Sequence, residues 1–281
     1  MDDSLDSVLR HIDLKARVFY AGNLCSVAGF DTDSGVGHLH LLRGGALDVI
    51  GPDGLAQTVS EPTLLFFPRP TAHRLRPQSG SGADLVCASV EFGAQVGNPL
   101  VHGLPALMRV RLADMPNLHG VLSVMFEEAF ADASGRSAAL DRLSEVVLIH
   151  LLRHAIDHRL LSSGSMAGLS DPRLSKALTA MHSEPARDWT LQTMATRAGM
   201  SRARFAAHFA KVVGSPPGDY LALWRIGLAQ RLLAQGRPLK SISDEVGYGS
   251  ANALTRAFAH RVGVSLTVWL ARQRPSSLNP R

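Results

Sequence analysis

Three histidines and two cysteines are the residues best placed for chemistry in the first third of this sequence. His38 and His40 are separated by one residue, so on a β-strand their imidazoles leave the same face. His73 closes the run Pro68-Arg69-Pro70-Thr71-Ala72-His73 and could supply a third imidazole from a neighbouring strand. Three such ligands are what zinc or iron sites use. The competing reading makes His40 and His73 core or strand-end histidines, and the sequence leaves both open. Cys25 and Cys87 each sit in an apolar run, Leu24-Cys25-Ser26-Val27 and Val86-Cys87-Ala88-Ser89-Val90. They read either as small buried hydrophobes or, if their pKa values are depressed, as a redox switch. His150, His154 and His158 recur every four residues. Two imidazoles at that spacing can share a metal, but with no carboxylate placed beside them a solvated or helix-end face is the expectation.

The elements that must position these groups follow from the hydrophobic pattern. Residues 1–16 read as a short amphipathic helix carrying Leu5, Val8, Leu9 and Ile12. Short apolar runs at 17–20, 24–28, 37–42, 46–50, 64–67, 73–75 and 85–92 are broken by Gly, Pro, Asp and Ser. Strands at that spacing predict a small sandwich or barrel, with Gly51-Pro52-Asp53-Gly54 as one of its turns. Residues 96–116 read as an extended connection. Helices are expected over 118–132 and 138–161, the second carrying Leu140, Leu143, Val147, Leu151 and His154 on one stripe. That stripe suits either pairing with a second copy, as a homodimer, or packing on the sandwich. The Ser-rich stretch 162–171 reads as an interdomain linker.

Beyond it the sequence repeats itself. Gly199 falls 48 residues before Gly247, and Ser201, Phe209 and Gly214 fall 49 before Ser250, Phe258 and Gly263. Each copy reads as a helix, a Gly turn and a second helix capped by Ser201 or Ser250. Thr190 is a plausible N-cap for the opening helix. Phe205, Phe209 and Val212 form the inner face of the second helix in one copy, and Leu254, Phe258 and Val262 in the other. A helix-turn-helix of this kind can place its second helix in a major groove. A continuous helix over 217–235 would hold the two copies at fixed spacing, suited to grooves about 34 Å apart. The base-contact candidates are Arg202, Arg204 and His208 in the first reading helix. In the second they are Asn252, Thr255 and Arg256, since Arg suits guanine and Asn adenine. Arg225 and Lys240 are read as phosphate contacts.

Charge supports that division. From Ser170 onward there are 16 Lys and Arg against 6 Asp and Glu; before it, 13 against 18. Only the basic part is suited to a polyanion. No apolar run approaches the ~18 residues that span a bilayer. The acidic start Met1-Asp2-Asp3-Ser4 does not resemble a signal peptide, so a cytoplasmic protein with no membrane partner is expected.

Two resemblances sharpen this. Residues 172–273 resemble the DNA-binding domain of AraC/XylS-type transcriptional regulators. The resemblance rests on Trp189, Ala195, Gly199-Met200-Ser201, Phe205, Phe209, Gly214-Ser215-Pro216, Trp224-Arg225, Val246-Gly247-Tyr248, Arg256-Ala257-Phe258 and Gly263. Leu266 stands where that family has Pro, and Ala207 where its first reading helix often has Arg. The His-x-His and Pro-x-x-x-x-His pattern resembles the cupin fold, although Arg43, Gly44 and Gly45 stand where a cupin Glu is expected. Cys25, His40-Leu41-Leu42, Pro68, Ala72-His73 and Leu85-Val86-Cys87 are similar to a subgroup that includes activators responsive to reactive chlorine species. The resemblance implies a sensing role for Cys25 and Cys87.

The expected protein is α+β with two domains. Residues 1–161 form a cupin-like β-barrel or sandwich with a helical extension, 162–171 a linker, and 172–281 an all-α double helix-turn-helix domain. Its expected function is a DNA-binding transcriptional regulator, preferably an activator, acting on double-stranded promoter DNA with RNA polymerase. The cupin-like domain would sense an oxidant, a small molecule or a divalent metal such as zinc or iron. The alternative is a cupin metalloenzyme fused to a DNA-binding module.

Overall fold

The computed structural model describes residues 4–9, 13–33, 35–54, 56–78, 82–93, 101, 103–161 and 163–273. They fall into two compact units. One contains Leu14–Glu91 and Leu104–Leu160; the other contains Met1–Asp13, Phe92–Gly103 and Leu161–Arg281.

In the first unit nine strands form two sheets. These are β1 (Leu14–Leu24), β2 (Ala28–Phe30), β3 (Gly37–Gly45), β4 (Leu47–Ile50), β5 (Ala56–Val59), β6 (Thr63–Phe67), β7 (His73–Pro77), β8 (Ala83–Phe92) and β9 (Met108–Arg111). The larger sheet runs β1-β8-β3-β6-β9 and the smaller β2-β7-β4-β5. β3 is central in its sheet, paired antiparallel to both β6 and β8. Its first six residues are all buried, so its His-Leu-His-Leu-Leu run is a strand covered on both faces. The core between the sheets includes Leu42, Leu47, Val49, Val59, Leu65 and Leu75.

Three strands escape the hydrophobic pattern. β5 exposes three of its four residues, β2 has only three, and β9 alternates Met and Val with two exposed arginines inside the stretch expected to be a connection. Residues 24–28 are not one strand; β1 ends at Leu24 and β2 begins at Ala28. Helices α2 (His119–Phe130) and α3 (Arg136–Asp157) follow. α3 lies against β1 and α2 and buries Leu140, Val147 and Leu151, so in this chain the stripe packs on its own domain.

The second unit is helical: α1 (Ser4–Leu9), α4 (Ser165–Ser170), α5 (Leu174–Ser183), α6 (Leu191–Arg197), α7 (Arg202–Val213), α8 (Pro217–Ala234), α9 (Leu239–Glu245), α10 (Ala251–Val262) and α11 (Leu266–Gln273). α1 packs on α5 in this unit rather than on the sheets. The expected linker is a correction. Most of it is α4, which buries Ser165 to Leu169 and packs on α5 and α7. Met166, Ala167 and Leu169 give the short helix an apolar body that the flanking serines disguise.

Candidate DNA-reading and sensor sites

Each half of the repeat is built by local chemistry. Thr190 opens α6 with a capping box: its Oγ1 accepts from the Thr193 amide at 3.2 Å, and its own amide donates to Thr193 Oγ1 at 2.9 Å. Gly199 at φ +64° and Gly247 at φ +81° make the turns. Ser250 caps α10 by accepting from the Ala253 amide at 3.2 Å, whereas Ser201 occupies the N-cap of α7 without a capping bond. Phe205 and Phe209 are fully buried under α7, and Leu254 and Phe258 under α10. The third inner residue of α7 is Val213 rather than Val212, which is half-buried. Phe209 meets Tyr220 edge-on at 5.6 Å, and Phe258 meets Trp269 in the same way at 5.6 Å. Both reading helices are therefore seated by the same device, an aromatic knob held by a neighbouring ring.

The outer faces differ. Arg202 and Arg204 are exposed on α7, as are Asn252 and Arg256 on α10. Exposure on α10 recurs at Asn252, Arg256 and His260; the equivalent positions 49 residues earlier are Ala203, Ala207 and Lys211. His260 and Lys211 were not anticipated, and the i, i+4 spacing from Asn252 and Ala203 is the signal that identifies them. Thr255 is half-buried and its hydroxyl donates back to the Ala251 carbonyl at 2.9 Å.

Two residues expected at the DNA also bond within the domain. His208 Nε2 lies 2.7 Å from Asp171 Oδ2. Burial opposes ionisation of that carboxyl, but the Leu174 and Arg173 amides and His208 together hold its pKa below the ordinary value. Asp171 thus ties α7 to the start of α5 through the imidazole. Arg225 is half-buried; its Nε donates to the Pro185 carbonyl at 2.8 Å and its Nη2 to the Arg187 carbonyl at 2.9 Å. Two of its five N–H donors are held within the domain, which gives it a structural role beside the phosphate contact expected of it. Lys240 is exposed.

In the sheet unit the structure does bring the three histidines together. His38 and His40 project from β3 and His73 from β7, with ring centroids 5.4 Å apart for His38–His73 and 5.1 Å for His40–His73. His40 Nε2 lies 2.9 Å from His73 Nε2, and His73 Nδ1 donates to the Thr71 carbonyl at 2.7 Å. A carbonyl can only accept, so a neutral His73 carries its proton on Nδ1 and His40 must donate through Nε2. That leaves His40 Nδ1 as a buried acceptor without a partner among the described residues, and His38 Nδ1 is also without one there. Phe30 and Phe67 stack on the two faces of His73 at 4.7 and 3.8 Å. Burial, reinforced by the neighbouring rings, pushes His40 well below the usual imidazole range, and burial lowers His73 to about 4. A cavity of about 530 Å³, lined by Phe30, Asp31, Ile50, Pro52, His73 and Arg74, reaches this cluster.

The fit to a resident metal is poor. His40 and His73 spend their facing nitrogens on each other, and no His, Cys, Asp or Glu cluster among the described residues is arranged to hold an ion. Arg43, near where the cupin carboxylate is expected, instead lies over the Phe126 and Phe130 rings at 5.8 and 5.3 Å. The cysteines also divide. Cys87 is buried in β8, register partner of His40, and burial pushes its thiol up to about 12. Cys25 is exposed just past β1, not within an apolar strand, with its Sγ 3.0 Å from Asn23 Oδ1.

A two-sheet barrel holding a histidine cluster, joined in sequence to a duplicated helix-turn-helix, defines a cupin-type domain with a DNA-binding domain. The cupin family description matches residues 3–157 and that of a helix-turn-helix domain residues 194–272. The chain belongs to the cupin family, and with the second match its architecture is that of AraC-type transcriptional regulators. It is 36% identical over 200 residues to a Streptomyces lividans protein described as an AraC-like transcription regulator, covering 66% of this chain and 64% of that one, just under two thirds of its length. It is 26% identical over 233 residues to the RCS-specific HTH-type transcriptional activator RclR of Escherichia coli K12, covering 80% of each. The DNA-binding domain of AdpA, solved in complex with a target DNA, is 28% identical with a TM-score of 0.35, covering 37% of this chain and 95% of that one. No helix among the described residues is long and apolar enough to cross a membrane.

Proposed function

We propose that this chain is a cytoplasmic transcriptional regulator, an activator, that reads two neighbouring grooves of promoter DNA under control of its cupin-type domain. The observation that carries the reading is the repeated seating of α7 and α10, each with a Phe knob beneath and an exposed face above. The two helices contribute unequally. Asn252 and Arg256 supply hydrogen-bonding readout from α10, with Ser250 at its N-terminus. Ala203 and Ala207 let α7 lie close to the bases; Arg202 and Arg204, read from the sequence as base contacts, flank the line equivalent to Asn252 and Arg256 and are assigned with the Ser201 hydroxyl to the backbone. Enrichment of duplexes from a randomised pool by the full chain tests this. A recovered motif whose preference at one half collapses in Arg256→Ala supports it; recovery of no motif refutes it.

For the signal, the cluster favours a small neutral molecule that donates hydrogen bonds, because His40 Nδ1 is a buried acceptor with no donor among the described residues and Phe30 and Phe67 pack against its ring. A second reading, oxidant sensing, rests on Cys25, since an exposed thiol is accessible and a Cys87 thiol titrating near 12 holds almost no thiolate. Loss of oxidant response in Cys25→Ser with retention in Cys87→Ser separates the two. Homodimerisation and contact with RNA polymerase complete the proposal; sedimentation of the purified chain checks the first.

A further inference from the structure

We infer that Arg225 is a positioning residue that sets the separation of the two reading helices, by joining the loop that enters the first helix-turn-helix to the turn of the second. The inference rests on the DNA-reading function proposed above. Three elements meet at this side chain. It leaves the connecting helix α8, and its Nε and Nη2 donate to the Pro185 and Arg187 carbonyls. Those carbonyls lie in a loop that is itself pinned: Trp189 Nε1 donates to the Glu184 carbonyl at 2.9 Å, Arg187 pairs with Glu184 at 3.0 Å, and the Arg187 guanidinium lies 4.8 Å from the Trp189 ring. The next residue, Thr190, caps α6. The loop therefore cannot shift without moving the first half.

On the other side the same guanidinium meets the second half. A Cβ on Gly247 would lie 2.8 Å from Arg225 Nη2 and 2.8 Å from the Ala186 Cα, so the turn of the second copy is pressed against both the arginine and the loop of the first. The Tyr248 ring centroid is 5.9 Å from the guanidinium carbon. A planar fork satisfies two carbonyls at once in fixed geometry; a lysine keeps the charge but not the fork. α8 alone joins the halves in series, and a single helix can flex. Arg225 adds a second tie, closing the joint. Two rigidly spaced readers bind a two-groove site far more tightly than either alone, and slack in the joint forfeits that gain.

The test uses the full chain carrying Cys25→Ser, with spin labels at Lys211→Cys and His260→Cys, both exposed. Pulsed distance measurements are made on it and on Arg225→Lys and Arg225→Met, with tryptophan fluorescence confirming the fold. A narrow distribution in the parent that broadens in both variants is expected. On the duplex that the unlabelled full chain enriches, unlabelled Arg225→Lys and Arg225→Met are expected to lose affinity about tenfold or more, with less than about twofold loss on a duplex carrying one half-site. Insertion of one base pair between half-sites should harm the variants less than the parent. An unchanged distance distribution overturns the inference. So does equal loss on whole and half sites, the pattern of a simple phosphate contact. If the unlabelled full chain enriches no duplex, DNA reading itself fails, while the distance measurement on the labelled chains still judges the tie.

Discussion

His40 and His73 meet Nε2 to Nε2 at 2.9 Å, the first from the larger sheet and the second from the smaller, so one hydrogen bond between neutral imidazoles spans the two layers of the sensor. The bond requires His73 Nε2 to be unprotonated, and its apolar stacking partners favour that state. The native pKa values of both lie below the unfolded value. The folded sensor therefore binds fewer protons than the unfolded chain once the pH drops below about 6.5. Its stability should be constant above that point and fall as pH moves from about 6.5 towards 4, where His73 titrates. At about 1.4 kcal/mol per unit, His73 alone accounts for roughly 3 kcal/mol over that window. Hydrogen exchange at β3 and β7 amides, followed from pH 7.5 to 4, reads this directly. His73→Phe should flatten the profile, and an equally steep profile in that variant would contradict the assignment.

Gly199 and Gly247 occupy equivalent turns with positive φ, yet their surroundings differ. Among the described residues nothing lies within 4 Å of a Cβ on Gly199, while one on Gly247 meets Arg225 and Ala186. Gly199→Ala should cost only the backbone strain, about 1 kcal/mol. Gly247→Ala should cost distinctly more and weaken two-groove binding. Equal unfolding midpoints for the two variants would show that the contact at Gly247 relaxes freely.

The exposed arginines of α7 and the polar pair of α10 should separate by kind of defect. Arg202→Ala and Arg204→Ala are expected to lower affinity for matched and scrambled duplexes alike. Asn252→Ala and Arg256→Ala are expected to cost about 1–3 kcal/mol on the matched sequence only. Competition binding at fixed salt distinguishes them; a sequence-independent loss in Arg256→Ala would reassign it to the backbone.

Much of this was legible in the sequence because it is local. The duplicated Gly turns, the caps and the Phe knobs all declare themselves within one or two helical turns. What escaped depends on distant partners. Arg225 finds Pro185 and Arg187 some 38 to 40 residues away, and His208 finds Asp171 at a separation of 37. Nothing near either residue reveals that it bonds within the domain. β5 and β9 carry too few buried side chains to show a strand period, and Met166 and Leu169 are hidden among serines. The histidine trio was visible as a spacing, but only the fold shows that two of its members face each other as a hydrogen-bonded pair.

Gln230 on α8 is 1% exposed, and among the described residues neither its side-chain oxygen nor its nitrogen has a partner. An unsatisfied buried amide costs about 1–3 kcal/mol. Gln230→Met, close in shape and apolar, should raise the unfolding midpoint of the helical unit by an amount equivalent to about 1 kcal/mol. All three tryptophans, Trp189, Trp224 and Trp269, lie in that unit, so their fluorescence reports it selectively. A lowered midpoint would mean that the amide is satisfied in solution.

The central claim is that α7 and α10 of one chain read adjacent grooves of one duplex. Hydroxyl-radical footprinting of the full chain on its enriched duplex, repeated across a salt series, tests it most directly. Two protected patches about one helical turn apart are expected, with affinity falling steeply and log-linearly with salt as several phosphates are neutralised. A single patch that Asn252→Ala and Arg256→Ala leave unchanged, or affinity that does not respond to salt, would contradict it.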